Sequence, residues 1–469
     1  DARPAEVHEE VFDLFAALEA SDEQLDFPIL FASAKEGWAE TEAGQGGDDL
    51  APLFQSILSH VPPPRVMADA PFSMLATTLE YDSFLGRLLT GKIHSGSISA
   101  NATVKAMRRD GEVIEKVRLT KVLAFRGLRR LATERAEAGD IVALAGLSLA
   151  TVADTLCDPE VDPPFKPQPV DPPTLSMTFA INDSPLAGRE GDKVTSRMIR
   201  QRLEREAEGN VSIRISQAAD KDALDVAGRG ELQLGVLIET MRREGFELSI
   251  SRPRVLYRDD PETGGRLEPM EEVLIDVDEE FSGIVVEAMS VRKGALMEMR
   301  PSGGGKVRLA FSAPSRGLIG YHGEFMTETR GTGVMSRLFQ CYGPDKGPIP
   351  GRRNGVLIAN SDGSTVAYGL KGLEGRGPLF IGAGAKVYAG MIVGEHSRGN
   401  DLEVNPMKSK QLTNIRAAGK DDAVRLSPPR RMSLEQAIAY IADDELVEVT
   451  PQSVRLRKRQ LKAHERKRT

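Results

Sequence analysis

Between Gly394 and Arg416 the chain carries eight donor side chains, His396, Arg398, Asn400, Asn405, Lys408, Lys410, Asn414 and Arg416, and no aromatic residue. Cationic and amide groups without stacking rings suit phosphate and sugar oxygens better than base faces. The chemistry on offer is therefore recognition of a nucleic-acid backbone rather than bond making. The stretch follows a strand-like run, Lys386 to Val393, and then loses periodicity. Long unperiodic segments inside ordered regions are functional or disordered, and a solvated loop has the same composition, so the surroundings must decide. A second cationic set ends the chain: Arg455, Arg457, Lys458, Arg459 and Lys462, then Arg466, Lys467 and Arg468. Arg455, Arg457 and Arg459 alternate, so a strand entering the tail points them to one side. About five such cations on RNA phosphates imply a roughly 10²–10³-fold loss of affinity between 50 and 200 mM salt.

Signs of catalysis are decoys. Gly86-Arg87-Leu88-Leu89-Thr90-Gly91-Lys92 fits G-x-x-x-x-G-K, but Ile93 stands where a phosphate loop needs Ser or Thr for magnesium, and the segment reads as strands. Ser302-Gly303-Gly304-Gly305-Lys306 reads as a glycine turn between strands. No nucleophile–base or carboxylate pair follows from spacing. Six scattered histidines and two distant cysteines, Cys157 and Cys341, predict neither a metal site nor a disulfide. Ser33-Ala34-Lys35, after the strand-like run Ile29 to Ala32, is more telling. In nucleotide-binding domains a backbone N–H at such a turn holds a purine O6, and the Lys35 stem would lie beside it.

The elements that position these groups change character along the chain. At 469 residues it should hold several domains. Its 40% apolar and 28% charged content is globular. No apolar run nears the ~20 residues that span a bilayer, and no signal peptide opens the chain, so a cytoplasmic protein without a membrane partner is expected. The net charge of −8 hides an acidic head, 14 acidic residues against Arg3 and Lys35 in 1–60, and a basic tail, eight Lys/Arg against Glu465 in 452–469. Only the tail should seek a polyanion.

Residues 1–65 read helix (Val7, Val11, Leu14, Phe15 and Leu18 on one face), strand, turn, helix (Leu50, Leu53, Phe54, Ile57, Leu58), the close of an α/β domain. Chain start at Asp1 rather than Met suggests material upstream. Residues 66–157 alternate in short segments with turns such as Asp110-Gly111, an antiparallel barrel. Residues 158–173 hold seven of 28 prolines, a stiff linker. Residues 174–256 and 264–344 each read strand, helix, strand, strand, helix, strand, a ferredoxin-like repeat. Residues 345–469 are strand-rich with one capped helix, Ser433 and Gln436 forming a capping box.

In this order the pieces resemble the BipA/TypA family of ribosome-associated translational GTPases over essentially the whole chain. The specific stretches are Glu244–Leu248 with Ser251-Arg252-Pro253, then Pro314–Gly320, His396–Leu402 and Asp443–Pro451. The resemblance implies a remnant of a P-loop GTPase domain, a translation-factor β-barrel, two domains like III and V of elongation factor G, and a family-specific β-rich terminal domain. It implies a monomer that binds the 50S subunit and 70S ribosome at the factor-binding centre and A site, contacts rRNA and the acceptor arm of A-site tRNA, and serves 50S assembly and stress or cold adaptation. GTP/GDP and Mg²⁺ belong to the intact parent. The phosphate loop, switch motifs and N-K-x-D are absent here, so this chain should have no catalytic residue, bind no cofactor or metal, and keep only Ser33, Ala34 and Lys35 on the guanine side. The alternative is a non-catalytic ribosome- and tRNA-binding module.

Overall fold

The computed structural model describes residues 3–44, 46–63, 65–82, 84–127, 129–162, 164–166, 171–409 and 425–466. They form two compact units, one of residues 1–76, 90–150 and 154–165, the other of 77–89, 151–153 and 166–469.

In the first unit, helices Pro4–Ala17 and Ala51–His60 begin with proline in the first turn, where a missing N–H costs no hydrogen bond. Neither buries a residue: Leu14 is 55% exposed and Leu58 77%. An amphipathic stripe records what a helix is able to bury, and the three-residue strand Trp38–Glu40 beside Ala51–His60 is too short to cover one. Phe31–Ser33 and Trp38–Glu40 form an antiparallel hairpin, Ser33 opposite Trp38. The order is therefore strand, turn, strand, helix, where strand, turn, helix is expected from the sequence. The chain doubles back through a four-residue turn, with Gly37 at φ +78° donating its N–H to the Ser33 carbonyl at 2.8 Å.

Eight strands between Ser73 and Cys157 make one sheet, whose edge strands are Val113–Arg118 and Arg129–Thr133. Among the described residues no ladder joins those two edges. Val104 and Ala106 are fully buried, and Asp110-Gly111 turns the chain from Thr103–Met107 into Val113–Arg118, with Gly111 at φ +93°. The phosphate-loop lookalike lies in strand Gly86–Ser95. Gly91 is there for close strand approach, since a Cβ would stand 2.1 Å from the Leu75 carbonyl oxygen. Lys105 Nζ donates to the Val161 carbonyl at 2.9 Å, pinning the start of the proline-rich segment.

The second unit contains two split βαβ arrangements. In the first, Leu175–Ile181, Arg214–Gln217, Ala223–Gly228 and Leu248–Ser251 lie in spatial order second, third, first, fourth, with helices Ser196–Gly209 and Glu231–Arg243. Leu234, Leu237, Ile238 and Met241 are the buried stripe of the latter helix. In the other, Arg266–Asp278, Ala295–Gly303, Lys306–Pro314 and Val334–Pro344 repeat that order around a separate core of Val273, Ile275, Leu309, Phe311, Tyr321 and Phe325.

The first sheet does not end at Leu248–Ser251. Glu445–Val449 adds to it antiparallel, followed by Val454–Lys458, Met391–Glu395, Val356–Ala359 and, in parallel, Leu402–Val404. One apolar core accordingly runs from Phe179 and Leu234 to Val447, Leu456 and Ile438.

Candidate nucleic-acid interface

The sheet extension decides where the predicted donors stand. Leu402–Val404 lies beside Val356–Ala359, so the 396–401 segment must loop over the end of that strand. Gly355 donates to the Arg398 carbonyl and accepts from the His396 N–H, both at 2.8 Å. Only glycine fits there, because a Cβ would meet the Asn400 carbonyl oxygen at 2.2 Å. Asp401 ties the far end: its carboxylate accepts the Val356 N–H at 2.9 Å and pairs with Lys458 Nζ at 2.6 Å. Burial opposes ionisation of Asp401, but Lys458 and the Val356 N–H outweigh it and hold its pKa below the ordinary value.

On this braced loop Arg398 and Asn400 are exposed. His396 is not: it is 7% exposed and its Nδ1–H donates to the Asn400 carbonyl at 2.6 Å. It braces the loop rather than facing solvent. Asn405 is exposed and its Oδ1 accepts the Met407 N–H at 2.9 Å, turning the chain so that Lys408 is exposed. Lys410, Asn414 and Arg416 lie outside the described residues.

The basic tail is corrected more sharply. Arg455, Arg457 and Lys458 sit in a strand flanked on both sides, with side chains 12%, 1% and 2% exposed. Arg455 pairs with Glu190 and Glu448, and Arg457 with Asp183. Lys458 meets Asp401, Asp444 and Glu445. A cation paired inside the protein is not free to meet a phosphate while the strand stays in place, so in this structure these three hold the fold together. Arg459 and Lys462, beyond the ladder, are exposed.

Carboxylates that sequence reasoning passed over complete this network. Glu448 accepts from Asn182 Nδ2 at 3.1 Å, Ser184 Oγ at 2.9 Å, Tyr388 OH at 2.6 Å and Arg455 Nη1 at 3.0 Å. Burial and the neighbouring Glu448 push the Tyr388 hydroxyl far up. Glu247 accepts the N–H groups of Gly188, Glu190 and Gly191 at 2.7, 3.0 and 2.8 Å and Asn182 Nδ2 at 3.1 Å. Although burial resists it, those donors keep Glu247 below the usual carboxylate range. The available signal was an acidic strand, Glu445 to Glu448, one turn before a basic one, since opposite charges face each other across a hairpin.

Ser33 ends its hairpin strand, and Ala34 and Lys35 occupy the exposed turn, with Ser33 Oγ accepting the Glu36 N–H at 3.3 Å. Among the described residues no group of three or more His, Cys, Asp or Glu is placed to hold a metal ion.

Comparison with known proteins matches these regions to translation-factor modules. Residues 86–157 match the family model Elongation factor Tu domain 2, and 265–352 match Elongation factor G C-terminus. Residues 354–463 match the TypA/BipA C-terminal domain. The class is thus a multidomain, β-rich assembly of elongation-factor modules with a distinct terminal domain. Over 468 residues the chain is 49% identical to "Large ribosomal subunit assembly factor BipA" of Escherichia coli strain K12, covering 100% of this chain and 77% of that protein. Its Haemophilus influenzae counterpart is 49% identical, covering 100% and 76%. That of Bacillus subtilis is 45% identical over 466 residues, covering 99% and 76%. The chain belongs to the BipA family.

Proposed function

We propose that this chain is the ribosome-contacting body of a translational GTPase that acts in assembly of the large ribosomal subunit. The observation that carries the reading is the braced loop: Arg398 and Asn400 are exposed on a segment fixed by Gly355, Asp401 and Lys458, and Lys408 is exposed just past the Asn405 turn. Donors held in place lose little entropy on meeting phosphates. Naming of its relatives as large-subunit assembly factors supports the same target.

In this reading residues 1–65 complete a P-loop GTPase domain, 66–157 close as a β-barrel, and 174–256 and 264–344 act as domains III and V of elongation factor G do. The 345–469 domain reaches rRNA and the acceptor arm of A-site tRNA. The protein works as a cytoplasmic monomer, also under stress and cold. GTP, GDP and Mg²⁺ act in the intact parent, with Ser33, Ala34 and Lys35 beside the guanine. The second reading is a module without chemistry; Gly86–Lys92, which fits a phosphate-loop pattern, lies in a strand.

Co-sedimentation with 50S and 70S particles at low salt tests the proposal. Arg398→Ala with Lys408→Ala should weaken pelleting several-fold while the thermal midpoint stays within about 1–2 °C, as for surface substitutions. Unchanged pelleting would return the loop to a plain solvated role.

A further inference from the structure

A cleft of about 730 Å³ opens beside the 186–190 turn and strands Met391–Glu395 and Val454–Lys458. That volume falls within the roughly 300–1,000 Å³ of small-molecule sites. Part of its wall is apolar, including Phe380, Met391, Met432 and Leu434. Six cations line it, Arg189, Arg242, Lys386, Arg430, Arg431 and Arg455, against one carboxylate, Glu190.

Three of those cations are already committed. Arg242 donates to the Thr450 and Pro451 carbonyls and to Glu239. Arg430 pairs with Glu395 at 3.1 Å. Arg455 pairs with Glu190 and Glu448, which also cancels the single carboxylate of the lining. Arg189, Lys386 and Arg431 are exposed and have no ion pair among the described residues. Arg189 and Lys386 also border a smaller hollow of about 250 Å³ that shares Leu186 with the cleft. Cations of one sign in a recess with apolar walls concentrate potential for an anion. Guanidinium groups favour phosphate, through paired N–H donors. The apolar wall asks for a body as well as a charge, and the half-buried Phe380 ring, edge-on to Tyr440 at 5.5 Å, offers an aromatic surface.

We propose that this cleft binds a nucleoside phosphate, with Arg189, Lys386 and Arg431 on the phosphate and the Phe380 side against the base. Side chains, not a metal, balance the phosphate charge. Binding therefore persists without magnesium. The nucleoside phosphate is either a free nucleotide or the end of an RNA strand.

Calorimetric titration of the whole chain in EDTA at low salt, with adenosine 5′-diphosphate and with a 5′-phosphorylated RNA trinucleotide, tests this. Adenosine has no purine O6, so the turn at Ser33–Lys35 does not contribute. Saturable one-to-one binding is expected. Arg189→Glu with Lys386→Glu, and separately Arg431→Glu, should weaken it at least tenfold, with circular dichroism and thermal midpoint preserved. Tighter binding of the diphosphate assigns the site to free nucleotides, and tighter binding of the trinucleotide assigns it to RNA ends; either supports the proposal. No saturable binding of either probe, or equal binding by the folded variants, overturns it. Ribosome pelleting of the same variants reads the loop proposal separately, because Arg398 and Lys408 are intact in them.

Discussion

Glu448 and Arg455 face each other directly across the hairpin that adds the terminal strands to the first sheet, with Nη1 3.0 Å from Oε1. Glu448 is fully buried and also takes hydrogen bonds from Asn182 and Ser184. It thereby connects the terminal strands to the 182–184 turn more than 260 residues earlier in the chain. Glu448→Ala leaves Ser184, Tyr388 and part of Arg455 without an acceptor, and Asn182 with Glu247 alone. Breaking a buried pair from one side costs about 3–5 kcal/mol. Urea denaturation should show a loss of that size, and a loss below about 1 kcal/mol would mean that water replaces the carboxylate.

Arg457 predicts the opposite. Its guanidinium is 1% exposed, yet its partner Asp183 is 63% exposed, and Nε and Nη1 have no hydrogen-bond partner among the described residues. Arg457→Met removes a poorly satisfied buried cation and leaves a carboxylate that water solvates and the buried Ser249 hydroxyl that had accepted from Nη2 at 3.1 Å. The stability change should lie between neutral and a gain of about 1–4 kcal/mol, as for other buried ion pairs replaced by apolar groups. Ribosome pelleting should be unchanged. A large loss of stability, or of pelleting, would restore Arg457 to a charged role.

These two residues also mark what was legible in the sequence. Local signals worked: the Leu234–Met241 stripe and the Ser433–Gln436 capping box are present, and the strand–helix order of both split βαβ units could be read. The alternation of Arg455, Arg457 and Arg459 said how a strand entering the tail would orient them, and a strand does run there, over Val454–Lys458. What it did not reveal was a covering on both sides, because Leu248–Ser251 pairs with Glu445–Val449 across nearly 200 residues, and the neutralising Asp183, Glu190 and Asp401 come from two distant loops. Periodicity finds a face but not its neighbour. The same limit applies to helix Pro4–Ala17, whose stripe is plain in sequence and uncovered in the structure. For the candidate interface, Arg398 and Lys408 were legible as exposed loop cations, whereas His396 was not legible as a brace, since its acceptor is a backbone carbonyl.

The same network sets a pH dependence. Burial raises the Glu445 pKa, but the bidentate Arg352 and nearby Lys458 outweigh it, so the folded value lies below the ordinary 4.5. Glu247 and Asp401 are lowered likewise. A depressed carboxylate contributes stability that is fully present above its unfolded pKa and is lost as pH falls through the folded one. For Lys458 the folded pKa is raised above 10.5, despite burial, by Asp401, Asp444 and Glu445, so its contribution persists to alkaline pH. The thermal midpoint should be nearly flat from about pH 6 to 9 and fall steeply below about pH 4.5. Glu445→Gln should flatten part of the acid limb. An unchanged limb would assign it to other carboxylates.

The two thiols should differ in reactivity. Cys157 is buried in strand Thr155–Cys157, and burial, partly offset by Lys105, pushes its pKa to about 11. Cys341 is exposed. Alkylation proceeds through the thiolate. Iodoacetamide at pH 8 should therefore modify Cys341 in the native chain and Cys157 only after unfolding, as peptide mass spectrometry would resolve. Prompt native labelling of Cys157 would show that the sheet opens there.

Salt dependence of ribosome binding measures how many cations remain for RNA. With Arg455, Arg457 and Lys458 held by carboxylates, the described candidates in the loop and tail are Arg398, Lys408, Arg459 and Lys462. Each phosphate neutralised contributes a slope of about −0.7 to −0.9 in log affinity against log salt. Four contacts correspond to a roughly 50–150-fold loss between 50 and 200 mM, at or below the low end of the 10²–10³-fold implied by about five tail cations. Arg398→Ala should reduce the slope by nearly one unit, while Arg455→Met, whose guanidinium faces Glu448, should leave it unchanged whatever it does to stability. If Arg455→Met instead lowers the slope, the hairpin opens on the ribosome and releases its buried charges to RNA.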